Sequence, residues 1–119
     1  MSRAVFKSKH KLTKATEFKR VFKKPVVSSD ACFRVLAREG QGENSRLGMA
    51  VSRQVDKNAV GRNRIKRVIR ESFRQQFSGS KGPFDIVVLP RRETASICNK
   101  ELFRSLQSHW SRLESRIEE

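Results

Sequence analysis

A run of cations in the middle of the chain holds the residues best suited to bind a ligand directly. The segment GRNRIKRVIRESFR, residues 61–74, has six Lys or Arg among fourteen residues. On a helix, Arg67, Arg70 and Arg74 recur every three or four residues and form a ridge about 10 Å long. Guanidinium groups at that spacing can contact several phosphates of one nucleic-acid backbone. The spacing therefore predicts polyanion binding that gives affinity without reading a base sequence.

The overall charge gives the same indication. The 119 residues include 27 Lys or Arg and 12 Asp or Glu, which is a net charge of +15. Residues 1–24 carry nine cations against one Glu, and residues 53–74 carry eight cations against two acidic residues. Charge concentrated in this way repels itself unless a polyanion is bound. Nucleic acid is the expected partner.

A solvated helix face is the plainer alternative for the same cations. Glu71 could pair with Arg67 one turn earlier, but an exposed pair of this kind contributes only about 0.3 kcal/mol. It would also leave the other cations of the segment repelling one another. We therefore favour the polyanion-binding interpretation.

The aromatic residues give a second indication of nucleic-acid binding. The chain has eight Phe and no Tyr. Phe18 and Phe22 lie one turn apart on a predicted short helix that is rich in Lys and Arg. Phenyl rings beside cations suit unpaired bases, and each stack contributes about 1–3 kcal/mol whatever the base. Both rings could equally be core residues, and the pattern alone leaves this open.

The sequence offers little for catalysis by the polypeptide itself. His10 and His109 could act as general acid and base only if the fold joined them, and no sequence feature predicts that contact. Asp30, Asp56 and Asp85 lie far apart in the sequence, which therefore indicates no carboxylate cluster of the kind a metal-dependent nuclease needs. We expect neither a catalytic nor a metal-ligating residue in the protein.

The cysteines and the N-terminal stretch bear on where the protein works. Cys32 and Cys98 lack any partner at metal-ligand spacing and are expected to be reduced thiols. The stretch MSRAVFKSKHKL has no apolar core of a signal sequence, and the longest apolar run is IVVL at residues 86–89. We expect a soluble, cytoplasmic protein that does not contact a membrane.

The elements that must position these residues follow from hydrophobic periodicity and turn residues. The sequence predicts a basic arm at residues 1–12, helices over residues 13–24, 59–77 and 97–117, strands over residues 31–39, 46–53 and 84–90, and a short edge strand at Val26 and Val27. The turn GQGEN at residues 40–44 is predicted to join the first two long strands as an antiparallel hairpin. The apolar run at residues 84–90 is typical of a strand in the middle of a sheet.

Each long helix is predicted to have one buried face. Thr13 and Asn58 suit the N-cap positions of the first two helices. The expected core residues of the second helix are Ile65, Val68, Ile69, Phe73 and Phe77, with Asn63, Arg64, Arg67, Arg70 and Arg74 on the opposite side. The expected core residues of the third helix are Phe103, Leu106, Trp110, Leu113 and Ile117. In that stripe the single Trp is interpreted as a packing residue and not as a base-stacking platform.

The basic segment also resembles a known signature. KNAVGRNRIKRVIRESFR, residues 57–74, is similar to the signature of the bacterial ribonuclease P protein component, with its RNR motif at Arg62, Asn63 and Arg64 followed by IKR. The likeness extends to LTKATEFKRVF at residues 12–22, to RLGMAVSR at residues 46–53 and to FDIVVLPRR at residues 84–92. It covers nearly the whole chain.

The resemblance implies a fold. The expected fold class is α/β (α+β), a two-layer sandwich of three helices against a mixed sheet of about four strands in the order α-β-β-β-α-β-α. All of residues 1–119 would form a single RNA-binding domain. The resemblance also implies a left-handed βαβ crossover through the second helix, which is opposite to the usual hand of such connections.

The resemblance further implies a function. The family binds a catalytic RNA and forms ribonuclease P, the endoribonuclease that removes the 5′ leader from precursor tRNA. Catalysis would be carried by the RNA subunit, with magnesium bound mainly by RNA. The implied partners are the catalytic RNA and precursor tRNA, with no obligate protein partner.

The resemblance also implies roles for individual residues of this chain. The residues expected to face RNA are Arg62, Asn63, Arg64, Lys66, Arg67 and Arg70, to which the cation ridge adds Arg74. Phe18, Phe22 and Phe33 match positions of a cleft for the single-stranded leader, and Leu36 stands where other members can carry an aromatic residue. In RQVDK, residues 53–57, a commoner double lysine is replaced, so Arg53 is the expected cation and Gln54 a neutral contact.

A non-enzymatic RNA-binding protein of ribosomal type is the alternative. Small basic α/β domains of that class have the same size and charge, so composition does not separate the two. A leader-binding cleft predicts tighter binding to precursor tRNA than to mature tRNA when the catalytic RNA is present.

Overall fold

The computed structural model describes residues 10–77 and 82–117. The helices are α1 (Ala15–Phe22), α2 (Ala59–Gln76) and α3 (Asn99–Ile117), and the strands are β1 (Val26–Ser29), β2 (Phe33–Glu39), β3 (Arg46–Met49) and β4 (Phe84–Pro90). A short 3-10 helix, Arg92–Ser96, precedes α3. The predicted fold class and element order are confirmed. The 3-10 helix was not predicted, because its five residues show no helical periodicity.

The four strands form one mixed sheet in the order β1-β2-β4-β3. β2 is antiparallel to β1 and β4, and β3 is parallel to β4. The predicted hairpin between residues 31–39 and 46–53 is therefore wrong, because β4 lies between these strands. β4 is apolar and covered on both faces, so it occupies a central position. β3, α2 and β4 form the expected crossover between parallel strands. The left-handedness of this connection stays a prediction.

The sheet separates two apolar cores. The larger lies between the sheet and helices α2 and α3, and the smaller lies under α1. Side chains alternate along β2, so Phe33, Val35 and Ala37 enter the larger core and Leu36 enters the smaller one. Burial of each large apolar side chain contributes about 1.5–3 kcal/mol, so both faces hold the sheet in register.

The predicted buried faces of the two long helices are confirmed for the residues that the structure describes. Ile65, Val68, Ile69 and Phe73 of α2 and Leu106, Trp110 and Leu113 of α3 are buried. Phe77 and Phe103 are partly buried against the same core, and the side chain of Ile117 lies outside the described part. The Trp110 indole N–H donates to Ser72 Oγ at 2.9 Å, which confirms that Trp110 is a packing residue.

α1 begins two residues later than predicted. Lys14, not Thr13, is the N-cap, and Glu17 Oε1 accepts the backbone N–H groups of Thr13 and Lys14. The Lys14 hydrogen bond lowers the pKa of Glu17. These bonds satisfy backbone N–H groups that otherwise have no hydrogen-bond acceptor at the start of a helix.

The end of the predicted arm is docked on the sheet. The Leu12 N–H donates to the Leu47 carbonyl at 3.0 Å, and the Leu12 side chain is buried under α1. Lys11 bridges to Leu47 as well. Residues 1–9 of the arm, and residues 78–81 before β4, lie outside the described residues.

Candidate nucleic-acid interface

A buried carboxylate fixes α1 on the sheet. Asp85 is 1% exposed, and its Oδ2 lies 2.9 Å from both Arg20 Nη1 and Arg46 Nη2. Arg46 Nε donates to Asp85 Oδ1 at 3.0 Å, and Arg46 also pairs with Glu17. The Asp85 hydrogen bonds raise the pKa of Arg46. The network joins α1, β3 and β4. The sequence feature that could have indicated this network is Asp85 itself, a single acid within the apolar segment of β4, because a buried carboxylate needs a partner.

The C-terminal end of α1 is held by a second arginine. Arg38 Nη1 donates to the carbonyls of Arg20 and Lys23 at 3.0 and 2.9 Å. A cation near these carbonyls is favourable because the C-terminal end of a helix carries partial negative charge. In the sheet, Asp85 is the register partner of both Arg38 and Arg46. α1 therefore lies across this row of charged residues.

The next row of the same sheet face is apolar and lies beneath α1. Val87 is the register partner of both Leu36 and Gly48. Leu36 is 3% exposed, so it forms a floor under α1 and is not an open stacking position. A Cβ on residue 48 would lie only 2.6 Å from Phe18 Cζ, so the Phe18 ring keeps this position only because residue 48 is glycine. We call the groove between α1 and this face of the sheet the α1 cleft.

The two phenylalanines of α1 differ in exposure. Phe18 is half-buried and packs with the smaller core, whereas Phe22 is 48% exposed. A cavity of about 670 Å³ beside Phe22 is also lined by Lys19, Lys23 and Arg38. An open ring beside cations fits the stacking interpretation for Phe22.

Phe33 does not line the α1 cleft. Its ring is fully buried on the opposite face of the sheet, 6.2 Å from the ring of His109 between centroids. The prediction that placed Phe33 with Phe18 and Phe22 is wrong. The reason is the alternation of β2, which sends Phe33 and Leu36 to opposite faces because their separation is odd.

Four residues of α2, three cations and one neutral asparagine, make up the outer face of the helix. Asn63 and Arg67 are exposed, and Lys66 and Arg70 are half-buried. Among residues 10–77 and 82–117, no side-chain hydrogen bond or ion pair engages these four. We call them the outer ridge. Arg53, in the turn before α2, is exposed and has no such partner in the same described ranges. Gln54, beside it, is also exposed.

Arg74 belongs to the ridge by position but is paired. It forms an ion pair with Glu71, and Gln75 Nε2 also donates to that carboxylate at 3.1 Å. Glu71 pairs with Arg74 and not with Arg67, the pair that the solvated-face alternative would use. Glu71 therefore neutralises the C-terminal end of the ridge and leaves Arg67 open.

Two arginines of the RNR motif bind the protein's own backbone. Arg62 Nη1 donates to the carbonyls of Asp56 and Lys57 at 2.9 and 3.0 Å. Arg64 donates to Asn99 Oδ1 at 2.7 Å and to three carbonyls of the segment before α3, those of Thr94, Ala95 and Ile97.

The prediction that Arg64 projects from the outer side of α2 is wrong. Arg64 lies one turn before the buried Val68, so it is at the flank of the buried face. Its guanidinium braces the 3-10 helix and the start of α3 against α2. We expect Arg64 to set the shape of the surface and the outer ridge to supply its charge.

Alanine variants should separate these two roles. Arg67→Ala should lower the slope of log affinity against log salt by about one unit and leave the free energy of unfolding within about 0.5 kcal/mol of wild type. Arg64→Ala should lower the free energy of unfolding by about 2 kcal/mol, because several acceptors lose a charged donor. Binding titrations over a salt series and urea unfolding measure the two quantities. An unchanged slope for Arg67→Ala would show that Arg67 does not touch RNA.

His109 belongs to a buried polar cluster. Its Nδ1 lies 2.6 Å from Ser28 Oγ, and its Nε2 lies 3.1 Å from Asp30 Oδ2 without the alignment of a hydrogen bond. Ser105 Oγ donates to the same Asp30 oxygen. The residue types are those of a hydrolytic triad, but Ser28 is 2% exposed and His109 is fully buried, so no substrate reaches them. His10 lies in another part of the chain, at the start of the described residues.

The buried cluster should make stability depend on pH. Burial lowers the pKa of His109 from its ordinary 6.5, more than the neighbouring Asp30 raises it. Although burial of Asp30 opposes ionisation, hydrogen bonds from Ser105, Phe33 and Cys32 lower its pKa from 3.8 to about 2. In both cases the unfolded chain binds the proton at a higher pH than the folded chain does. The stability that each group contributes is therefore fully present above its unfolded pKa and is lost as the pH falls from there through the lower folded pKa.

Unfolding in urea at a series of pH values measures this dependence. We expect the free energy of unfolding to fall between about pH 7 and pH 5 in the wild type, and to fall less steeply over that window in His109→Leu. Asp30 should add a further loss below its unfolded pKa. An equally steep fall in His109→Leu would contradict this assignment.

The remaining titratable groups show no metal-ligand arrangement in the part of the chain that is described. Within residues 10–77 and 82–117, His, Cys, Asp and Glu nowhere come together in a group of three or more suited to a metal ion. Cys32 is half-buried and Cys98 exposed, both as free thiols, and burial raises the pKa of Cys32. No helix in the described ranges is both long and apolar enough to span a membrane.

The chain is similar to known proteins over most of its length. A family model described as Ribonuclease P matches residues 6–114. The ribonuclease P protein component of Methylococcus capsulatus is 42% identical over 105 residues, which are 88% of this chain and 81% of that protein. The corresponding protein of Thioalkalivibrio sulfidiphilus is 38% identical and covers 88% of this chain and 87% of its own.

Solved structures agree with this likeness. The RNase P protein of Staphylococcus aureus superposes with a TM-score of 0.76 at 31% identity, over 83% of this chain and 90% of that one. The RNase P protein of Thermotoga maritima gives a TM-score of 0.74 at 30% identity, over 86% and 96% of the two chains.

Proposed function

Because the chain belongs to the bacterial ribonuclease P protein family, and is thus a protein subunit of the enzyme that processes the 5′ end of tRNA, we propose that it contacts two RNAs through two surfaces. The outer ridge of α2 docks on the catalytic RNA. The α1 cleft holds the single-stranded 5′ leader of precursor tRNA. With the family established, the alternative of a non-enzymatic ribosomal-type protein is set aside.

The open cations of the outer ridge support the first contact. Arg67 and Arg70 point away from the core and are not engaged within the described residues, so they are free to meet phosphates. Arg53 adds a cation in the turn before α2. Each phosphate contact releases counterions, so affinity should depend steeply on salt. The arginines of the RNR motif that bind carbonyls contribute by holding this surface in shape.

The exposure of Phe22 is the single observation that carries the second contact. The ring is 48% exposed and lines a cavity together with Lys19 and Lys23, so an apolar surface and two cations meet in one place. A single strand gives both elements a partner, since bases stack on the ring and phosphates meet the cations. Base-paired RNA offers no unpaired base to the ring. The leader, which mature tRNA lacks, is the segment of the substrate that fits.

The chemistry of cleavage is assigned to the RNA subunit. The carboxylates best placed near α1 are neutralised by arginines, Asp85 by two and Glu17 by one. They are therefore poor ligands for magnesium. We propose that magnesium is held mainly by RNA, and that the protein's cations offset repulsion between the two RNAs and so lower the magnesium needed. We place this work in the cytoplasm, together with the catalytic RNA.

Reconstitution with the catalytic RNA tests this function. Cleavage of precursor tRNA at low magnesium should require both the RNA and the protein, and the protein alone should not cleave. With the protein present, the RNA should bind precursor tRNA more tightly than mature tRNA. Equal affinity for the two tRNAs would refute the leader contact, and cleavage by the protein alone would refute the assignment of catalysis to RNA.

A further inference from the structure

We call the side of the sheet that α1 covers the α1 face, and a third row of residues on this face is not covered by the helix. In the register of the sheet, Arg34 pairs with Ser29 on β1 and with Leu89 on β4. Along β2, Arg34 lies two residues beyond Leu36, on the side away from the ion pairs of Asp85. Two residues of a strand span about 7 Å. Leu36 and Val87 beneath α1 are almost fully buried, whereas Leu89 is half-buried and Arg34 and Ser29 are exposed. α1 therefore leaves one side of its cleft open.

Arg34 stands out among the arginines of this face. Arg20 and Arg46 bind Asp85, and Arg38 binds the end of α1. Arg34 has no hydrogen bond or ion pair within residues 10–77 and 82–117, although β2 is an inner strand of the sheet. A cation near the start of an inner strand, beside the apolar Leu89, neither stabilises the core nor caps an element. A guanidinium without a partner in the described ranges, next to one apolar and one small polar residue, suits an extended polyanion.

We propose that Arg34 binds a backbone phosphate of the leader where the strand leaves the α1 cleft, an inference that rests on the proposed leader contact. Leu89 and the half-buried Val27 provide an apolar surface on either side of it for the adjoining sugar and base. The guanidinium can donate two parallel hydrogen bonds to one phosphate. The contact is made to the backbone, so it extends the bound length of the leader without selecting its sequence.

Leaders shortened one nucleotide at a time test this site in the reconstituted holoenzyme. Arg34→Ala should lower affinity for precursor tRNA with a long leader about tenfold, and should lower the salt slope by about 0.7, the value for one single-strand phosphate. For leaders too short to reach the third row, Arg34→Ala and wild type should bind alike. Arg34→Lys should keep most of the salt slope and lose part of the affinity, because lysine keeps the charge without the paired donors.

A matched control comes from the opposite face. Arg104 on α3 is exposed, makes only a surface ion pair with Glu101 and lies on the opposite side of the sheet from α1, so Arg104→Ala removes the same charge and should leave leader-length dependence unchanged. A methylphosphonate placed at successive leader positions removes one phosphate charge at a time. One position should weaken wild type and leave Arg34→Ala unaffected, and changes of base at that position should have no effect.

The outcomes distinguish the two proposals. If wild type prefers precursor tRNA but Arg34→Ala matches it at every leader length, the Arg34 site is refuted and the α1 cleft stands. If changes of base alter the Arg34 effect, Arg34 reads bases and the backbone assignment is refuted. If wild type does not prefer precursor to mature tRNA, the leader contact fails and the Arg34 site fails with it.

Discussion

Replacing Phe22 with alanine is expected to lower the affinity of the reconstituted holoenzyme for precursor tRNA by about tenfold, and to leave its affinity for mature tRNA unchanged. The physical reason is the loss of one base stack, which contributes about 1–3 kcal/mol. Phe22 is 48% exposed, so its truncation should change the free energy of unfolding little. Binding titrations with the two tRNAs at one salt concentration measure the effect.

Other side chains at residue 22 separate stacking from apolar contact. Phe22→Tyr keeps a ring and should retain most of the preference for precursor tRNA, whereas Phe22→Leu keeps apolar area but should lose most of it. The double variant Phe18→Ala with Phe22→Ala should abolish the preference. Because Phe18 packs on Gly48, its truncation also opens a cavity, and that variant needs a measurement of stability beside the binding data. Equal weakening of both tRNAs would show that Phe22 contacts no leader.

Replacing Asp85 with asparagine is expected to lower the free energy of unfolding by about 3 kcal/mol. Removal of one partner of a buried charged cluster leaves the others without compensation, and here Arg20 and Arg46 are both left. Their side chains are 22% and 23% exposed, so water offsets part of the loss and the lower end of the usual range applies. Urea unfolding followed by far-ultraviolet circular dichroism measures it.

Glu39→Gln is the control for this variant. Glu39 is exposed on the same sheet, and its carboxylate has no partner within the described ranges, so its neutralisation should cost less than about 0.5 kcal/mol. Asp85→Asn should also weaken binding to precursor tRNA more than to mature tRNA, because α1 positions Phe22. A variant as stable as wild type would show that the ion pairs do not hold α1 on the sheet.

Local periodicity was enough to predict most elements of this protein. The apolar stripe of α2 repeats every three or four residues, and β4 is an almost unbroken apolar run. Such patterns report which side of an element is buried, because that depends only on neighbours in sequence. The position of Arg67 on the outer side of α2 follows from the same periodicity. The resemblance of residues 57–74 added the family, which no pattern alone provides.

Strand pairing could not be predicted from local periodicity. The hairpin between β2 and β3 was a reasonable inference from a short polar turn, and it was wrong because β4 inserts between them. β4 lies far along the chain, after α2. Its apolar faces need cover on both sides, and only the whole set of elements decides which strands provide it. The error on Phe33 had a different cause, the alternation of side chains along β2, which sends Phe33 to the larger core and Leu36 to the smaller one.

The sequence by itself determined where the charge lies, which helix carries it and that the partner is a nucleic acid, because these depend on composition and on spacing within one element. Only the tertiary structure decided what each cation does. Arg64 meets carbonyls some thirty residues away, Arg46 meets Asp85 across the sheet, and Arg34 is left open beside the α1 cleft. An arginine's role depends on the acceptors within its reach, and folding brings those acceptors from distant parts of the chain.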